Sequence, residues 1–545
     1  MYRFLCVHFV LFMVFSSFSA VPIPKRWHET KGFGISVKGG LAGEVYKVTN
    51  LNSSGPGSLK DAVSKSNRLI VFEVGGVITG GVNMASDITI AGETAPYPGI
   101  TVIKGNVRSN EDNIVVSHIT IASGSADEGH HDACNIGGKN VVYNHVSAYW
   151  GKDETLSIKD VLDVTLYKCI IAEGLQFSGH EDGEHSKGLH IQSGNDRLSV
   201  IGCLCANSAI RNPRIDRSTS FIANHVVYNF APAWDHVGPK LSSDDEIASC
   251  DHCFRRAITA HQGQNTLVGC VALHGPESKA EFFLDAHHKE TSGYLKDNII
   301  KDRQGNDLKQ ANTEGVFTGG FGAKVTLLDT PPIWPEGMVP LPAEEALYEV
   351  LRTAGPHPGN RNPQNARVVK TVADDNGVII DSENEVGGYP DYQETRHSLT
   401  VPDGVEARQK WLDELEDKVA VDTEIDLSRL YSIVGSEASD KLRGPTPVVQ
   451  QSANRKSGVA GIKIAQKYSG YKQLHAAFSL SVANSVSMKV FDLAGNMVAH
   501  QPLKIFQAGS NEIVINVEHL SAGLYVCRFQ IGTITQNLSY NCIDM

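Results

Sequence analysis

The sequence predicts an all-β protein: a parallel β-helix followed by a small C-terminal β-sandwich. Short apolar runs rich in Val, Ile, Thr and Cys recur from Leu69 to Ile300. Aligned on Val146, Cys169, Cys203, Val226 and Cys270, they step by about 23 residues, lengthened by loops. No amphipathic segment of helix length lies between them, which argues against βαβ units and helical arrays. Fixed-period strands without crossover helices fit coils that stack one on the next around a column of Val, Ile, Leu and Cys. Beyond a Pro-, Gln- and Ser-containing stretch at 444–465, strand-like alternation resumes between Gly, Asn and Ser turns to the end of the chain.

In chain order, residues 1–20 read as a secretory signal: Arg3, the apolar run Phe4–Phe15, then Ser17-Phe18-Ser19 as a small-x-small cleavage site. The apolar run is too short to span a bilayer, so an exported chain without a membrane span is expected. Gly32 to Gly43 is glycine-rich and 45–49 reads as a first strand; Ser58 caps a short helix through Leu59, Ala62 and Val63 that closes the open first coil. Strands are then expected at 69–74, 88–91, 114–121, 141–146, 164–171, 198–205, 221–228, 266–272 and 294–300. The β-helix is assigned to 21–322. A segment with helices at 343–353 and 403–419 follows and is expected to pack along it (323–443). The linker is placed at 444–465 and the sandwich at 466–545.

The formal charge of −12 excludes a general basic field for nucleic acid. An anionic substrate must therefore be held by local Arg, Lys or a bridging metal. Arg211 and Arg214, on either side of Pro213, form such a local anion fork. Of the ten cysteines, Cys6 leaves with the signal. Cys169, Cys203 and Cys270 lie in apolar runs and are expected as buried thiols. Cys250 and Cys253 form a lone C-x-x-C, a local disulfide or a weak zinc signal, and Cys527 with Cys542 is a candidate bridge. His130, His131, His180, His185 and His190 show no metal-binding spacing and read as polar-loop residues, while His145 reads as structural.

Several stretches together resemble the polysaccharide lyase family 1 pectate lyases. They are Gly32-Phe-Gly, Gly55-Pro-Gly-Ser-Leu59, Asp132-Ala-Cys-Asn-Ile136, Asn144-His-Val-Ser-Ala-Tyr-Trp-Gly-Lys-Asp-Glu154, Arg211-Asn-Pro-Arg214 and Glu385-Val-Gly-Gly-Tyr-Pro390. Their order over residues 31–395 makes the series specific. The resemblance implies a right-handed parallel β-helix that cleaves polygalacturonate by β-elimination with Ca²⁺ as cofactor. It also implies Asp132 and Asp153 as metal ligands, with Glu154 as the compensating acid where Ser157 replaces an acid of many relatives. Arg211 is implied as the base, working at alkaline pH because a free guanidinium stays protonated. Arg214 and Lys187 are implied as substrate-binding groups. Other readings are a pectin lyase acting on methylated polymer without calcium, which Asp132 and Asp153 oppose, and a non-catalytic β-helix that binds glycan. A polygalacturonase is excluded by the missing Asn-Thr-Asp and Gly-His-Gly signatures.

Ser487-Met-Lys-Val-Phe-Asp-Leu-Ala-Gly-Asn496 and Leu520-Ser-Ala-Gly-Leu-Tyr-Val526 resemble the C-terminal sorting domains of type IX secretion. The usual lysine-rich ending is absent. The expected partners are thus pectate polysaccharide and the type IX machinery, for a monomer without nucleic acid; a carbohydrate-binding or spacer sandwich is the other reading of this region.

Overall fold

The computed structural model describes residues 26–29, 32–126, 131–180, 185–230, 256–279, 282–286, 290–308, 312, 317–318 and 326–434. It also describes 459–542 apart from 469–471, 481–483, 492–496, 508, 518–519, 521–522 and 532–533. The signal segment, Cys250, Cys253, His130, the loop 235–251 and most of the expected linker lie outside these residues. The chain divides into two compact units, 1–438 and 439–545.

In the first unit, strands of one long sheet add in sequence order, each parallel to the last, from Glu44–Val48 through Arg68–Phe72, Ile88–Ala91 and Ile114–Ser117 onward. A second sheet is built from the other half of each coil. It runs Val74–Thr79, Ile100–Ile103, Ile119–Ala122, Ser147–Tyr149, Ile170–Ala172, Leu204–Ala206, Val226–Tyr228, Val271–Leu273 and Ile299–Lys301. This is the parallel β-helix that the repeat predicts. Its inward positions form one continuous apolar core from Val48 to Ile300, with Cys134, Cys169, Cys203, Cys205 and Cys270 inside it as free thiols.

The runs read from sequence as single strands are corners. Ile114–Ile121 divides at His118, Val164–Ile171 at Lys168 and Phe221–Tyr228 at Asn224, each in the left-handed region (φ 52°, 51° and 53°). A left-handed residue turns the chain from one sheet into the other, and short apolar side chains on both sides hide that turn from a periodicity reading. The strands also start earlier than expected. Five of them position the site: β1 (Val107–Ser109), β2 (Cys134–Asn144), β3 (Glu154–Tyr167), β4 (Lys187–Ile191) and β5 (Arg214–Ala223). Register shifts between β2 and β3 at Gly138, whose φ is 81° and where a Cβ would meet the Glu111 carbonyl oxygen at 2.3 Å. Only glycine fits that bulge.

Ser58 caps the short helix Leu59–Ala62 as expected, its hydroxyl accepting from the Asp61 N–H, and Leu59, Ala62 and Val63 join the core. The expected helices at 343–353 and 403–419 are Ala343–Thr353 and Val405–Asp417. Two further helices, Pro363–Asp374 and Ser428–Val434, escape the sequence reading. Pro at the first helical position and an Asn362 cap start the former. The segment packs on the β-helix through Leu412, Trp411 and Val401 against Leu69 and Val71. A fork from Arg367 to the fully buried Glu173 (2.6 and 2.8 Å) adds to this docking. No helix among the described residues is long and apolar enough to cross a membrane.

The second unit has two antiparallel sheets. One joins Val459–Tyr468, Lys472–Leu480 and Gly509–Asn516; the other joins Asn484–Phe491, Met497–Phe506, Gly523–Ile531 and Ile534–Cys542. Leu474, Phe478, Ile513, Val486, Met488, Val490 and Cys527 from both sheets share one core. Its first strand, Val459–Tyr468, begins inside the expected linker, where Ile462 and Ile464 already flank Lys463 in strand alternation. The expected Cys527–Cys542 bridge does not form. Cys527 is a free thiol facing Leu538, whereas Cys542 faces Gly523. Four residues of strand separate them, about 13 Å, beyond disulfide reach.

Candidate active site

Along β2 to β5 the inward positions Ile136, Ile158, Ile191 and Ile215 are paired in register and buried. Strand alternation turns the preceding residue of each out of the core. The outward row is therefore Asn135, Ser157, His190 and Arg214, and it continues on β1 as Arg108. The same coil geometry brings residues just ahead of these strands to one end of the row: Asp132 before β2, Asp153 and Glu154 at the start of β3, Lys187 opening β4 and Arg211 ahead of β5.

Asp132, Asp153 and Glu154 each place a carboxylate oxygen within 4.8 Å of the other two. Asp132 is fixed by the Glu154 N–H (3.0 Å) and by the Asn135 amide. Burial, with Asp153 adding its negative charge, raises the Asp132 carboxyl above the ordinary range in spite of hydrogen bonds from Ser157 and Asn135. Asp153 is moved the other way: burial would raise it, but His185, Lys187 and Arg211 together hold it well below the usual carboxylate range. The Lys187 ammonium lies 2.9 Å and His185 Nε2 3.3 Å from its Oδ1.

Glu154 receives Arg211 Nη1 and lies 3.0 Å from His190 Nδ1. His190 reaches Asp216 through Nε2 (2.8 Å), and Arg214 Nε donates to both Asp216 oxygens (3.0 Å each). Burial again opposes ionisation, but His190 and Arg214 bring the Asp216 carboxyl down to about 2. Arg211 has φ 60°, the left-handed region that the corner residues His118, Lys168 and Asn224 also occupy, so its backbone follows the fold.

All six residues expected at the site, Asp132, Asp153, Glu154, Lys187, Arg211 and Arg214, thus come together. Sequence reasoning missed His190, which it left among the polar-loop histidines, and it did not bring out Asp216. The available signal was the two-residue alternation Leu189, His190, Ile191, which places His190 on the outward row. The fold also gathers Asp153, His180 and His185 within 4.8 Å, a grouping that linear spacing does not show. His145 is structural as expected: it is buried, with Nδ1 3.0 Å from the Gly355 carbonyl oxygen.

The arrangement is an all-oxygen cluster suited to a hard divalent cation, facing two guanidiniums and an ammonium suited to carboxylates. Comparison with known proteins accords with it. A probable pectate lyase C of Aspergillus flavus is 31% identical over 383 residues, 69% of this chain and 84% of the relative. That of Emericella nidulans is 31% identical over 423 residues, 74% of this chain and 89% of the relative. The chain belongs to the pectate lyase family. By that membership it is a polysaccharide lyase. A solved pectate lyase bound to a hexasaccharide aligns with 61% of this chain and 98% of its own at 11% identity and a TM-score of 0.41. Residues 473–538 match the secretion system C-terminal sorting domain family, and the protein is secreted.

Proposed function

We propose that the protein is a Ca²⁺-dependent pectate lyase that cleaves α-1,4-polygalacturonate by β-elimination, with Arg211 as the base. The observation that carries this reading is the convergence of Asp132, Asp153 and Glu154 within 4.8 Å, next to Arg211 and Lys187. A donor set of carboxylate oxygens fits calcium, and these three residues would hold it. When bound, the ion supplies positive charge against a uronate carboxylate, which makes the neighbouring C5 proton more acidic. Lys187 and Arg214 orient uronate carboxylates, Arg214 being steadied by Asp216 and Asp216 in turn by His190. Arg211, as the neutral guanidine, accepts the C5 proton; the electron pair forms the C4=C5 double bond, the C4–O bond breaks, and the leaving oxygen takes a proton from water. The products are unsaturated oligogalacturonides. The sorting-domain match supports export through a type IX secretion system.

The test is absorbance of the unsaturated uronide on polygalacturonate at alkaline pH, with and without chelator. A calcium-dependent rise is expected. A chelator-insensitive rise on methylated polymer would instead identify a pectin lyase, and binding without any rise a glycan-binding protein.

A further inference from the structure

Arg108 lies on β1 in the same outward row as the site, in register with Asn135, which pairs with Ser157, then His190, then Arg214. Most arginines of the β-helix and its extension face a carboxylate or a carbonyl: Arg68 pairs with Glu44, Arg197 with Asp163, Arg303 with Asp375 and Arg361 with Asp422. Arg108 has no ion pair among the described residues. Its one side-chain hydrogen bond among the described residues runs from Nε to Asn106 Oδ1 at 2.7 Å. That bond anchors the guanidinium and leaves both terminal nitrogens for another partner. The chain is half-buried there, and a half-buried arginine with no counter-charge among the described residues is suited to a carboxylate from outside.

Starting from the uronan-binding reading above, we propose that Arg108 is the clamp of a distal subsite that binds a second uronate carboxylate, several sugars from the bond that breaks. Four inter-strand steps separate it from Arg214, about 19 Å at ~4.8 Å per step. A polyuronate laid along the row therefore meets a guanidinium at each end, with the acidic cluster between them. The enzyme so built recognises a run of unesterified uronates and distinguishes long blocks from isolated acid sugars.

The test is calorimetric binding of hexagalacturonate and trigalacturonate, in calcium, to the full chain carrying Arg211→Lys, with and without Arg108→Gln. Arg108→Gln is expected to weaken the hexamer about tenfold and to move the trimer by less than twofold; Arg108→Lys, which keeps charge without the fork, restores part of the loss. Arg108 also touches the Asn106–Asn135 pair that reaches Asp132, so calcium affinity is measured on the same variants. Equal hexamer affinity with and without Arg108→Gln overturns the subsite. So does a parallel loss for both oligomers, or a loss explained by weaker calcium binding. Because binding is read directly, absence of lyase turnover in the wild-type protein would refute the proposed reaction while still leaving the Arg108 result decisive for the subsite.

Discussion

Replacing Arg211 with lysine separates chemistry from structure at this site. Arg211 donates through Nη1 to Glu154 and contacts His190 at 3.0 Å, so removing its charge outright would leave the buried Glu154 short of a cation and risk the fold. Lysine retains the charge, which keeps that pairing, but loses the planar fork and places its nitrogen differently. If Arg211 takes the C5 proton, the loss is that of a general base, about 10²–10⁴ in kcat, or roughly 3–5 kcal/mol of transition-state stabilisation. Initial rates of unsaturated-uronide formation at saturating calcium and polygalacturonate measure it. Affinity for substrate is expected to stay within threefold, and the melting temperature within a few degrees. A rate within tenfold of wild type would move the base elsewhere, with Lys187 the next group to replace. Arg211→Ala supplies the contrast: it should lose rate and also melt lower, because Glu154 then lacks its cation.

Two other predictions concern the acids. Ser157 is buried beside Asp132; Ser157→Asp should raise calcium affinity about tenfold by adding an oxygen ligand. The variant should melt below wild type in chelator, where like charges crowd, and above it in calcium; unchanged calcium affinity by calorimetry would place the ion away from this row. Asp216, with its carboxyl at about 2 in the folded protein against about 3.9 unfolded, contributes stability that is fully present above the unfolded value and lost as pH falls through the folded one. This amounts to about 2.5 kcal/mol, of which roughly half is gone by pH 3. Urea unfolding at pH 5 and pH 3 should show a smaller pH-linked loss in Asp216→Asn than in wild type; identical losses would remove Asp216 from the acid response.

The recurrence of short apolar runs without crossover helices between them determined the β-helix, because stacked coils bury such runs against one another. That pattern is local, and so are the Ser58 cap and the helices expected at 343–353 and 403–419. The family-like motifs likewise brought out Asp132, Asp153, Glu154, Lys187, Arg211 and Arg214, since each sits in a short stretch legible without its partners. What the chain could not show locally is how far each coil advances. The corners at His118, Lys168 and Asn224 are ordinary residues in left-handed backbone, and the coil steps vary with loop length. Register, and with it the row Arg108–Asn135–Ser157–His190–Arg214, therefore exists only once the coils stack. The same holds for the Glu154–His190–Asp216 chain, whose members are 36 and 26 residues apart. It holds too for Cys527 and Cys542, which antiparallel pairing sets four residues out of reach. Chemistry-bearing side chains were legible in the sequence; the distances between them were decided by stacking.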